Sequence, residues 1–145
     1  MQVQRLVIGM IFSGLVCGAA LAQNTVAELL AAGGKQLTKE ELKTTLSGAN
    51  VSGPTATGGE WNVDWKADGT LSGTVINPTG RRGSVFGTWA IDDAGLLCRD
   101  ATLRFYESSQ LKDCSPLYKL GDQFYAPAAT PAEPSTKLLP RSIKR

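Results

Sequence analysis

The chain has 145 residues, with 15 Lys and Arg against 13 Asp and Glu, three cysteines and no histidine. The missing histidine excludes the commonest general base, the Ser-His and Cys-His nucleophile pairs, and the usual imidazole ligands of zinc and copper. A net charge of +2 is too small to mark a nucleic-acid-binding chain, and no nucleic acid, metal or cofactor is expected as a partner.

The first segment, MQVQRLVIGMIFSGLVCGAALAQ, carries one charge at Arg5, then an apolar run from Leu6, then small residues at Ala20 and Ala22. This is the three-region pattern of a secretory signal peptide, and the run falls short of the roughly 20 residues that a spanning helix requires. Cleavage is expected after Ala22. Residues 1–22 are then a signal, the mature chain is periplasmic or secreted, and it has no transmembrane segment. Cys17 leaves with the signal, because Val16 is too large to precede a lipidated cysteine. The remaining pair, Cys98 and Cys114, is even in number and bound for an oxidising compartment, so a disulfide is expected.

The mature chain opens with helical patterning. Val26 to Leu30 is followed by the breaker Gly33-Gly34. Thr38 then has Glu41 three residues on, a capping box, with Leu37 set to pack on Leu42 and Gly48 as the stop. Gly53 to Gly58 has the glycine spacing of a phosphate loop, but Gly59-Glu60 stands where Lys and Ser or Thr are needed, so it reads as a linker.

From there the period changes to two. Trp61, Val63 and Trp65 share one face, Lys66-Ala67-Asp68-Gly69 turns, and Leu71, Gly73 and Val75 return, which predicts a hairpin over residues 60–76. Asn77 to Gly83 is a loop, and Val85, Gly87, Trp89 and Ile91 alternate again. Asp92-Asp93-Ala94-Gly95 turns into a strand starting at Leu96, and further strands are predicted at 102–107, 117–120 and 124–126. The fold class predicted is α+β, mostly β: a small antiparallel meander or partial barrel with one or two N-terminal helices and one disulfide. It occupies residues 23–126. From Pro127 the chain is rich in proline and holds Lys137, Arg141, Lys144 and Arg145 against Glu133 alone, which predicts a disordered basic tail over 127–145.

Few residues offer chemistry. Asp68, Asp92 and Asp93 stand where turns ask for aspartate, and the 92–95 turn lacks the spaced oxygen ligands of a calcium loop. Arg81 and Arg82 are candidates to clamp an anionic group through their planar forks. Trp61 and Trp65, with Trp89, are expected in the core, the alternative being a platform for stacking sugars.

Leu37-Thr38 through Leu46-Ser47-Gly48, Trp65-Lys66-Ala67-Asp68-Gly69-Thr70, Gly87-Thr88-Trp89, Gly95-Leu96-Leu97-Cys98, Cys114 and Gly121-Asp122-Gln123-Phe124-Tyr125 resemble segments of small exported proteobacterial proteins, in which an aromatic-x-x-Asp-Gly turn, a Gly-x-Trp strand, a Gly-x-Leu-Cys strand and a second cysteine come in that order. Over roughly residues 36–126 the chain resembles the DUF995-type family of unknown function. That resemblance implies an exported, disulfide-linked, β-rich domain and no established activity.

The function expected is a non-enzymatic binding or interaction module whose partner is a protein, a glycan or an anionic envelope surface. One alternative is an inhibitor of an exported hydrolase, a protease or lysozyme, presenting the Asn77 to Gly83 loop. Another is a cell-wall glycan hydrolase using two of Asp64, Asp100 and Glu107, which must then lie about 5 to 10 Å apart in a cleft.

Overall fold

A computed structural model of the chain describes residues 24–145. The expected signal peptide and its cleavage site lie outside them. The elements run α1 (Val26–Ala31), β1 (Lys35–Gln36), α2 (Lys39–Leu46), β2 (Ala49–Pro54), β3 (Glu60–Trp65), β4 (Thr70–Ile76), β5 (Arg82–Ile91), β6 (Leu97–Arg104), β7 (Ser108–Ser115), β8 (Tyr118–Leu120), β9 (Gln123–Pro127) and β10 (Leu138–Lys144). These strands form one antiparallel sheet in the order β1-β8-β9-β10-β2-β3-β4-β5-β6-β7, curled into a half-barrel with β1 and β7 as its edges. The mostly β meander with two N-terminal helices is thus the fold that forms.

Both helices start as their sequences dictate. Thr25 and Thr38 accept the amides of Glu28 and Glu41 on their hydroxyls, and the two glutamates accept the threonine amides in return, at 3.0 and 2.9 Å. Helix α2 buries Leu42 and Leu46 in the same cluster as the sheet's inner face, and so plugs one end of the half-barrel. Gly48, at φ 76°, turns the chain from this helix into β2 and donates its amide to the Trp65 carbonyl at 2.7 Å. Helix α1 packs elsewhere, Val26 and Leu29 against Tyr118 and Leu138 on the outer side of β8 to β10.

The alternation decides which residues face the concave side. Trp61, Val63 and Trp65 are buried there, with Leu71, Val75, Val85 and Trp89. Several inward positions are glycines; among them Gly73 lies between Val63 and Val85, and Gly87 between Leu71 and Ala101. A Cβ on Gly73 would stand 2.2 Å from the Asn62 carbonyl oxygen, and one on Gly87 2.2 Å from that of Asp100. Strands approach this closely only where no side chain intervenes, so these two residues permit the curl.

Four expectations are corrected or narrowed. Residues 127–145 are not a disordered tail: β9 runs through Pro127, and β10 lies in the middle of the sheet between β9 and β2. Proline and basic residues concealed a strand in which Leu139, Arg141 and Ile143 face inward while Pro140, Ser142 and Lys144 face out. Gly53-Pro54 is not linker either but the end of β2, paired to Trp61 and Glu60. The strand expected at 102–107 is the end of β6 followed by a turn. Strand β7, from Ser108, was legible only as one of two readings of the 95–114 stretch, two strands or a strand and its return loop, because Leu111 and Cys114 alone interrupt its polar side chains.

Cys98 and Cys114 are bonded and lie directly opposite each other across β6 and β7. The bridge sits on the outer face and ties the edge strand to its neighbour. In the chain-entropy model, closing a loop of this length stabilises the fold by about 3 kcal/mol.

Candidate functional site

The concave side of the half-barrel encloses a cavity of about 400 Å³. Leu46, Leu97 and Leu117 line one end of it, beside the helical plug. Trp61, Trp65, Val75, Leu103, Leu111 and Leu139 line the walls. The far end is bounded by Thr55 to Thr57, Asn77, Pro78, Phe105 and Ala128 to Thr130. In an antiparallel meander the β2–β3, β4–β5, β6–β7 and β9–β10 connections must all fall at one end, which makes this end the mouth.

Among the described residues three charged side chains line the cavity: Arg99, Asp113 and Arg141. Arg99 and Asp113 oppose each other in register on β6 and β7, one position inside the two cysteines. Arg99 Nε donates to Asp113 Oδ1 at 2.8 Å and its Nη2 donates to Oδ2, a bidentate pair with each side chain 20% exposed. The guanidinium also stands 5.5 Å from the centre of the Trp61 ring.

Arg141 has no such partner. Its Nη1 donates to the Pro54 carbonyl at 2.7 Å and to the Pro140 carbonyl at 3.0 Å, and no carboxylate among the described residues reaches it. Gly53 makes the room: a Cβ there would lie 2.4 Å from the Pro140 oxygen and 3.0 Å from Arg141 Nη1. Burial, with a smaller contribution from the nearby Arg99 charge, lowers the Arg141 pKa to about 10. At neutral pH it therefore still carries its charge. The cavity wall holds two guanidiniums and one carboxylate, a surplus of one positive charge inside an otherwise apolar cup.

Of the residues singled out from sequence, Trp61 and Trp65 are buried at 8% and 3% exposure and form part of this wall. They do not form an exposed platform. Trp65 packs edge-on against Trp89 with centroids 5.6 Å apart, and Trp89 Nε1 donates to the Lys66 carbonyl at 2.9 Å. Arg81 and Arg82 are exposed at the mouth end. Asn77 Oδ1 braces that loop by accepting from the Thr79 amide, the Thr79 hydroxyl and the Arg81 amide, at 3.1, 2.8 and 2.8 Å. The Arg81 guanidinium lies 3.9 Å over the ring of Tyr106, linking two mouth loops.

The carboxylates divide by role. Asp68 accepts from the Thr70 amide and hydroxyl, which hold its pKa below the ordinary value, and Asp92 accepts from the Leu96 amide at 2.8 Å. Both are turn residues, as their spacing suggested. Asp64 and Asp100 are exposed on outward positions of β3 and β6, and Glu107 is exposed in the β6–β7 turn. None of the three lines the cup, so they do not form the facing acid pair that glycoside hydrolysis requires.

Arg99, Asp113 and Arg141 were not singled out from sequence, although a signal for each existed. If Cys98 and Cys114 face each other across an antiparallel pair, Arg99 must face Asp113. For Arg141 the signal was the Leu139, Arg141, Ile143 alternation. No helix of the described residues is long and apolar enough to cross a membrane. The chain matches no protein-family model, no curated protein and no solved structure.

Proposed function

We propose that the protein is an exported binding module that holds a small, largely apolar molecule in the cup of its half-barrel. The observation that carries this reading is the cavity itself. Its volume of about 400 Å³ falls in the range of small-molecule sites, and its lining is apolar with a few convergent polar groups. Sites of that character bury most of a drug-sized ligand. Export rests on the signal-like N-terminus and agrees with the disulfide, since such bonds persist in oxidising compartments. Kinship with the DUF995-type exported proteins belongs to the same proposal and rests on the short sequence motifs alone.

The test uses N-phenyl-1-naphthylamine, an uncharged probe that fluoresces in apolar surroundings. Its emission is expected to rise and shift to shorter wavelength with the protein, with energy transfer from Trp61 and Trp65. Leu111→Trp, which fills the cup from the β7 side, is expected to suppress the signal. An unchanged probe spectrum with the wild-type chain would remove the reading.

A second reading draws on the mouth loop. Asn77 braces the segment from Asn77 to Arg81 internally, and a preorganised loop is what an inhibitor of an exported hydrolase presents. In an inhibition assay against periplasmic or secreted proteases and lysozymes, Arg81→Ala/Arg82→Ala is then expected to weaken potency at least about tenfold, equivalent to losing one charge-assisted contact. Equal potency would exclude this loop.

A further inference from the structure

We infer that the ligand of the cup is an amphipathic monoanion, an apolar chain lying along the Trp61 wall and ending in a carboxylate held by Arg141. This inference rests on the cup being a binding site and adds the chemical class of its occupant. Three observations lead there.

The first is charge. Arg99 is matched by Asp113 with both of its fork bonds, whereas Arg141 meets only carbonyl oxygens, so the wall retains one uncompensated positive charge. A neutral ligand would leave that charge buried more deeply and still unpaired. A dianion would exceed it. A single negative charge matches it.

The second is geometry. Arginine carries five N–H donors in a planar fork. Among the described residues Arg141 uses only Nη1, leaving the Nε and Nη2 side of the fork without a protein acceptor. That side has the shape that accepts a carboxylate through two parallel bonds. The carbonyls of Pro54 and Pro140, together with the absent side chain of Gly53, fix the guanidinium in place, so little side-chain freedom is lost on binding.

The third is the rest of the cavity. Beyond Arg99, Asp113 and Arg141 its walls are largely aliphatic and aromatic, with small polar groups such as Thr55, Thr57 and Asn77 toward the mouth. A hydrocarbon or aromatic body fits these walls by burial of apolar surface, whereas a sugar or a free amino acid would strand its polar groups against them.

Displacement of N-phenyl-1-naphthylamine from the full mature chain tests the inference, with ligands kept below their micelle-forming concentrations. Dodecanoate, dodecanol, dodecyltrimethylammonium and monododecyl phosphate share one chain and differ only in the head group. Dodecanoate is expected to displace the probe at a concentration at least about tenfold lower than the alcohol or the cation, the discrimination that one charge-assisted contact provides. Arg141→Met is expected to erase that preference while keeping probe binding, and Arg141→Lys to keep part of it. Equal potency of acid and alcohol on the wild-type chain would overturn the inference with no need of any variant, and so would a preference that survives in Arg141→Met. Tighter binding of the phosphate would overturn the carboxylate assignment. Failure of the uncharged probe and of every dodecyl compound to bind would overturn the cup as a site altogether, an outcome distinct from the others.

Discussion

Truncation after Pro127 is expected to abolish cooperative folding, although residues 128–145 have the composition of a dispensable tail. Strand β10 lies between β9 and β2, so its loss splits the sheet of the described residues into a β1-β8-β9 piece and a β2 to β7 piece. Leu138 and Leu139 are 4% and 8% exposed, and Ile143 packs on the main core. At roughly 1.5 to 3 kcal/mol for each fully buried aliphatic side chain, their removal alone takes about 5 kcal/mol from a fold whose total stability is of order 5 to 15 kcal/mol. The deletion also removes the anchor of α1, whose Val26 amide donates to the Thr136 carbonyl while the Leu138 amide donates to the Asn24 carbonyl. Two freshly exposed strand edges then invite aggregation. Far-ultraviolet circular dichroism and size-exclusion chromatography check this. A cooperative melt within a few degrees of the full-length chain would show that β10 is not needed.

Asp113→Ala is expected to destabilise the fold strongly for a substitution outside the apolar core. It leaves Arg99 and Arg141 as two unpaired guanidiniums facing one cavity. With each side chain of the pair 20% exposed, the expected cost is about 2 kcal/mol, between that of breaking a buried pair and that of breaking a surface bridge. The companion variant Arg99→Leu/Asp113→Leu is expected to recover most of that loss, since replacing both partners by apolar groups is often close to neutral. Urea unfolding of Arg99→Leu, Asp113→Leu and the double variant gives the coupling directly. A loss below about 1 kcal/mol for Asp113→Ala would place the pair in the class of solvent-screened surface bridges.

The same reasoning explains why Arg141 stands out. Lowering its pKa to about 10 corresponds to a destabilisation of about 3 kcal/mol at neutral pH. The sign follows from its being a base: the unfolded chain holds the proton more tightly, so the cost is present throughout the range below pH 10 and is relieved only above it. The carboxylate proposed for the cup would offset that cost.

Local signals were the most legible part of the sequence. The capping box from Thr38 to Glu41, the stop at Gly48 and the hairpin over residues 60–76 turned at Gly69 depend on neighbours a few residues apart, so local patterning determines them. The disulfide was legible for a different reason, a matter of counting and compartment. Strands β2 and β10 were hidden, and β7 half-hidden, because Gly53-Pro54, the polar run around Ser108 and the prolines near Pro140 read as breakers or loops when taken alone. For β2 and β10 part of the pairing energy comes from partners distant in sequence, Ser52 lying opposite Ser142, whereas β7 pairs with its sequence neighbour β6.

The cup belongs wholly to that second category. Arg99 and Asp113 come together through the register that the Cys98–Cys114 pair shares, and Arg141 joins them only because β10 inserts between β9 and β2. The sequence by itself determined the helix starts, the tight turns, the apolar face of each central strand and the cysteine pair. Strand order, the curl permitted at Gly73 and Gly87, and the enclosure of one surplus guanidinium in an apolar cavity were decided by tertiary structure. They are properties of side chains from separate strands facing one space, and no local pattern contains them.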